Sequence, residues 1–280
     1  MPIKQLIAPA GPAIDIVEAR LHVRQDITDD DAKLNTLVRA VAGIAEAVTW
    51  RSIIATRWQQ SLDAFPGCSL SGVQPGAAYS LPGQAILLER SPLIQLVSIQ
   101  YLDMAGVWQT MPDTDYALDD SGPAPRITPV FGKIWPIALP QIGAVKLTYD
   151  AGFAAPLVAS GNNLTVKGWK SLALNDAVRL SNSGGVLPAP LQAETDYYVA
   201  AIPQSGVYQL SATIGGAVIS LTNTGSGTHY LGVVPEDIKT WMLTRLDSFY
   251  DHRGDAAIAE GKFSPLPWVD SLLDRHRVML

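Results

Sequence analysis

The stretch Thr28–Trp50, TDDDAKLNTLVRAVAGIAEAVTW, decides the reading of the whole chain. Leu34, Leu37, Val38, Val41, Ile44, Ala45 and Val48 recur at three-and-four spacing, which predicts one apolar stripe on an amphipathic helix. Thr28 stands at the expected N-cap, and Asp31 three residues later gives an approximate capping box. Asp29, Asp30 and Asp31 place negative charge against the positive end of the helix dipole. Each large apolar side chain buried by such a stripe contributes roughly 1.5–3 kcal/mol, so the stripe needs a partner surface.

Upstream, Asp15–His22 reads as a short helix. Asp15 and Glu18 stand at capping-box spacing, and Val17 and Leu21 face one way. The link 24–27 is too short for anything but an αα-hairpin. The partner for the long stripe is expected at the other end of the chain, Pro235–Tyr250. There Ile238, Trp241, Met242, Leu246, Phe249 and Tyr250 follow helical spacing behind Pro235, Glu236 and Asp237. A further helix-like piece, Trp268–Met279, follows a Pro-punctuated segment at 263–267.

Between these ends the period changes. Trp58, Gln60 and Leu62 alternate, and 66–83 reads as a Pro/Gly/Ser-rich loop. Strands are expected at Ile86–Leu88, Leu93–Leu102, Val107–Met111, Tyr116–Leu118, Arg126–Thr128 and Val145–Tyr149. Asp103-Met104-Ala105-Gly106 marks a hairpin turn. From 156 to 232 charges thin out while Gly, Ser, Thr and Asn rise. Strand-like pieces recur at Leu164–Val166, Ala177–Leu180, Asp196–Ala200, Val207–Ser211 and Ala217–Leu221. The expected fold is therefore α+β. The N- and C-terminal segments form a helical layer beside a small antiparallel β unit, and an all-β domain is inserted. Residues 1–155 and 233–280 form the core domain, and 156–232 the insert.

Composition narrows the function. Hydrophobic residues make up 48% of the chain and charged residues 16%, which fits an ordered fold. A net charge of −6 argues against a general binder of phosphate backbones. Cys68 is the single cysteine, so no intrachain disulfide forms, and a reducing compartment is expected. The opening MPIKQLIAPAGP lacks a signal-peptide core and no apolar run is long enough to span a bilayer, so a soluble intracellular product without a membrane partner is expected.

Catalytic constellations are not legible. His22, His229, His252 and His276 lack metal-ligand spacing, and no HExxH or Cys/His cluster occurs. Asp251-His252-Arg253 reads as a polar helix end rather than an acid/base pair. Asp26, Asp29, Asp30 and Asp31 read as capping residues, since EF-hand spacing and its glycine are missing. Cys68 has no basic neighbour in sequence, and Gly225-Ser226-Gly227 is no nucleophile elbow. The expectation is a non-enzyme without cofactor or metal. Phe263, Trp268, Arg275, His276 and Arg277 are the residue types that anchor interfaces, and they form the candidate partner-binding set.

Four segments, in this order and spacing, resemble the head-to-tail connector (adaptor) proteins of long-tailed bacteriophages and gene transfer agents. They are IDIVEARLHVRQDITDDDAKLNTLVRAVAGIAEAVTWR (14–51), SPLIQLVSIQYLDMAGVWQ (91–109), VKLTYDAGF (145–153) and VVPEDIKTWMLTRLDSFYDHRG (233–254). Together they cover most of 10–153 and 233–280. The insert departs from the family pattern, although NDAVRLSNSGGVLPAPLQAETDYYV (175–199) looks like small β modules of phage structural proteins. The resemblance implies a homo-oligomeric ring of about twelve copies in the virion neck, at the head–tail interface. It would dock between the portal protein and the next neck or tail-completion protein, and would be made in the host cytoplasm. DNA would pass through without sequence-specific binding, and an acidic lumen would not hold phosphates back. The alternative is a binding module whose insert recognises a carbohydrate or host surface through Tyr197, Tyr198, Tyr208 and Tyr230.

Overall fold

The computed structural model describes residues 2–67, 84–193, 195–251 and 267–278. Cys68, most of the 66–83 loop, His252, Arg253 and Phe263 lie outside the described residues.

Helices α1 (Ile16–His22), α2 (Asp31–Thr49), α3 (Glu236–Asp251) and α4 (Pro267–Ser271) form one layer. Leu34, Val38, Val41 and Ala45 of α2 share a core with Ile238, Trp241, Met242 and Leu246 of α3, so the two chain ends meet as expected. The helices run antiparallel, since Tyr250 near the end of α3 bonds Asp30 before α2, while Val278 N–H reaches Thr49 O at the other end. Val269 and Leu273 seal that end.

Two details differ from the sequence pattern. Thr28 is not the N-cap: helix α2 starts at Asp31 behind Asp30, whose side chain makes no cap bond and accepts from the Tyr250 hydroxyl instead. In α1 Asp15 does cap, accepting from Val17 N–H at 2.8 Å. Glu18, however, turns to Lys239 and Ser183, and the Asp15 N–H goes to Ser183 Oγ. A tertiary partner thus replaces the reciprocal half of the box. Val17 and Leu21 are exposed, and Ala19 is the side chain α1 buries.

Strands β1 (Ile3–Ile7), β2 (Thr56–Leu62), β4 (Leu93–Leu102), β5 (Trp108–Thr110) and β8 (Val145–Ala151) form an antiparallel sheet in the order β1-β2-β8-β4-β5. The expected turn closes the β4–β5 hairpin, with the Asp103 carboxylate accepting from Ala105 and Val107 N–H. Strands β3 (Ile86–Leu87), β6 (Tyr116–Asp119) and β7 (Arg126–Pro129) pair as a small sheet beside it. Strand β1, which no pattern announced, is an edge strand held by pairing with β2.

The remaining strands close into a six-stranded barrel. They are β9 (Ala154–Ser160), β10 (Asn163–Val166), β11 (Ala177–Ser183), β12 (Asp196–Gln204), β13 (Val207–Ser211) and β14 (Thr228–Gly232). Ala217–Leu221 is not a strand; Ile219 and Leu221 lie on the barrel core instead, with one backbone bond from Ile219 to Leu210. The missing places are filled by β9 and β14, which pair with each other so that Ala154 faces Gly232. Closure explains why both were hard to read, because a barrel supplies every strand with two neighbours and needs no strong individual pattern.

Candidate interface

The exposed side of the helical layer carries a recess of about 260 Å³. Trp241, Arg245 and Phe249 recur every four residues along α3, and Ile44 and Val48 face them from α2. Trp241 is buried, whereas Ile44 and Phe249 stand exposed at the rim. Asp270 of α4 fixes the polar edge, accepting from Trp241 Nε1 at 3.1 Å and from Arg245 at 2.6 Å. These bonds hold the Asp270 carboxyl below its ordinary range. The Arg245 guanidinium also lies over the Trp241 ring, 5.6 Å from its centroid.

The C-terminal segment closes one end of this face. His276 is buried, its ring bonding the Asp237 carboxylate at 2.8 Å, while its carbonyl accepts from Arg51 Nε at 2.7 Å. Arg275 is exposed and reaches the same carboxylate at 3.2 Å. Burial pushes the Asp237 carboxyl up, but the His276 hydrogen bond and charge, with the Ile238 N–H and Arg275, together hold it below its ordinary value. Arg277 lines the recess and pairs with Asp274 at 3.3 Å. Of the five residues singled out by type, Arg275 and His276 therefore converge on one carboxylate, and Arg277 joins the recess. Trp268 lies on α4 with its side chain outside the description, and Phe263 lies outside it altogether.

Sequence patterning missed the other half of this surface. Ile44 and Phe249 fit a buried stripe by spacing, yet both are at the rim. No stripe rule separates a core position from one that the neighbouring helix leaves uncovered.

Of the four barrel tyrosines, Tyr198 is half-buried. Tyr197, Tyr208 and Tyr230 are buried, and Tyr230 donates to Pro12 O at 2.7 Å. Of the stacking residues the carbohydrate reading needs, these three lie inside the fold. Turn 183–185 presses the barrel onto α1: a Cβ on Gly184, at φ +74°, would meet Asp15 Oδ1 at 2.5 Å. Among the described residues no group of three or more His, Cys, Asp or Glu could hold a metal, and no described helix is long and apolar enough to cross a membrane.

No family model matches the sequence, and no curated protein matches it. Solved structures do. The chain shares the fold of a gene transfer agent neck component. A chain from the neck of an empty gene transfer agent particle, computed with C6 symmetry, aligns over 100% of this chain and 97% of its own, at TM-score 0.56 and 17% identity. A chain from the virion of the native particle gives the same values. One from the native neck computed with C12 symmetry aligns over the same shares at TM-score 0.53 and 16% identity. The alignment spans the full chain, the barrel included.

Proposed function

We propose that this chain is a structural neck protein of a phage-like particle, a head-to-tail adaptor without a catalytic step. The observation that carries the reading is the full-length likeness in fold to chains of a gene transfer agent neck. On this reading copies form a closed ring, of about twelve by analogy with the neck treated in C12 symmetry. The ring sits between the portal and the next neck or tail-completion protein, and DNA passes through its centre. The protein is made in the host cytoplasm and ends in the virion. Residues 1–155 and 233–280 are the adaptor core, and 156–232 is an insert whose ends meet where β9 pairs with β14, Pro156 opposite Tyr230. Arg275 and His276 serve the interface indirectly, by pinning the C-terminal segment to Asp237, and Arg277 serves it as part of the recess lining.

Imaging tests the reading. Negative-stain micrographs of the purified chain, alone and mixed with portal rings, are expected to show a coaxial ring on the portal. A chain that stays monomeric and also leaves portal rings bare overturns it.

A further inference from the structure

One end of the barrel is plugged by polar groups instead of apolar ones. Leu180 and Leu231 face each other across β11 and β14, both buried in the barrel core. Two residues further along the same strands, on the same face, stand Asn182 and His229. His229 is buried, and both its ring nitrogens are engaged. Nε2 lies 2.9 Å from Thr224 O, and Nδ1 lies 2.7 Å from Asn182 Nδ2. A carbonyl accepts and an amide nitrogen donates, so the ring is neutral, with its proton on Nε2 and a lone pair on Nδ1.

The amide facing it has two positions to choose from. Asn182 Nδ2 also donates to Ser226 O at 2.8 Å, whereas Asn182 Oδ1 is buried without a partner. A buried acceptor left empty is uncommon and costs stability. Half a turn of the amide sets Oδ1 against His229 Nδ1 and Ser226 O together, an arrangement that suits a protonated ring and deprives Ser226 O of its donor. Ser226 is the knot between two loops. Its N–H bonds Val186 O at 2.9 Å, and its Oγ accepts from Val186 N–H at 3.3 Å. Thr222 N–H bonds Ala189 O beside it, at 2.9 Å.

The surroundings leave the ring as the group that changes. Strand β9 meets His229 with Leu157, and the sequences 184–188 and 222–227 contain no charged residue. On the other face of these strands Thr228 bonds Asp15, and Ser183 bonds Glu18, which pairs with Lys239 of α3. Arg179 and Asp196 pair with each other on the outside of the barrel.

We propose that the Asn182–His229 pair is a pH-operated catch on this end of the barrel. With the ring neutral, the Asn182 amide holds the Ser226 turn. When acid protonates Nδ1, two donors face each other, the amide turns to present Oδ1, and Ser226 O is released. Loop 222–227 then loosens from 184–188 while the barrel core and the helices stay folded. Histidine is the side chain whose ordinary charge change falls between about pH 5 and 8, so the catch answers to mild acid. It lies within the barrel and goes beyond the adaptor reading, because it asks nothing of ring assembly.

Nuclear magnetic resonance on the full chain, with histidine and asparagine labelled with nitrogen-15, tests it. At neutral pH His229 is expected to show the Nε2–H tautomer. As acid protonates it, the Asn182 side-chain amide signals are expected to move with the same midpoint. Across that midpoint, amide exchange at Val186, Thr222 and Ser226, corrected for the intrinsic rate, is expected to quicken about tenfold, the worth of one lost hydrogen bond, while α2 stays protected. His229→Gln takes up no proton and is expected to lack the step. An Nδ1–H tautomer, a ring that stays neutral until the chain unfolds, Asn182 signals that ignore the titration, or unchanged exchange overturns the catch. A step that survives in His229→Gln belongs to Asp15 and Glu18 and overturns it as well. If His229→Gln fails to fold, the titration of the unaltered chain decides by itself.

Discussion

The Tyr250 hydroxyl donates to the Asp30 carboxylate at 2.6 Å across 220 residues of chain. The bond ties the last turn of α3 to the residue before α2, so the antiparallel helix pair is fastened where its two remote segments meet. Removing the donor alone isolates its worth. Tyr250→Phe is expected to lower stability by about 1–3 kcal/mol, because a charge-assisted bond is lost at a half-buried site. Chemical denaturation reads this as a lower midpoint with unchanged slope.

Glu46 gives the fold a pH signature. Its carboxylate accepts from Ile53 N–H at 2.8 Å. Burial raises its pKa, and the Ile53 bond and the nearby Arg90 charge only partly offset that. The folded state therefore holds this proton more tightly than the unfolded chain, and Glu46 costs stability as pH rises from about 4.5 through its folded value. Glu46→Gln keeps the acceptor and removes the charge. The expected outcome is a flatter stability profile above pH 4.5, measured by thermal unfolding across pH, with no loss near neutrality.

Asp237 has the opposite sign. Its folded pKa is depressed, so its contribution is present above the unfolded value of about 3.8 and is lost as pH falls through the folded one. Asp237→Asn is expected to free the C-terminal segment at neutral pH, seen as faster amide exchange at His276 and Val278 while α2 stays protected.

The loop between β7 and β8 separates bracing from display. Trp135→Ala is expected to cost about 3–5 kcal/mol, since it empties the stack on Phe65 and strands the Gln84 carbonyl. Phe131→Ala is expected to stay within about 0.5 kcal/mol, because its ring touches solvent. Equal losses in thermal melts would show the loop to be packed differently.

Excising 156–232 with a short Gly/Ser linker is expected to leave the helical signal in circular dichroism, because Ala154 and Gly232 are already paired neighbours. The remainder is expected to be less stable than the full chain. Tyr230 leaves the helical core, and Asp15 loses Ser183 and Thr228. A product without helix would make the barrel integral to the fold.

The chain's own pattern carried the elements with strong periods. The α2 stripe, the α3 stripe, the Asp103–Gly106 turn and most central strands stand where local spacing puts them, because burial on one face writes a period of 3.6 or 2 into the sequence. The α+β class and the meeting of the two chain ends followed from those stripes alone. Tertiary structure decided the rest. Strands β1, β9 and β14 exist through their neighbours' hydrogen bonds, and Asp30 and Glu18 gave up their local capping roles for partners up to 220 residues away. Which apolar residues of a stripe remain uncovered, Ile44 and Phe249 among them, depends on where the next helix ends, and a period holds no record of that. The same limit applies at 131–142, where Ile134, Ile137 and Ile142 are core types by composition yet stand exposed beside the buried Trp135.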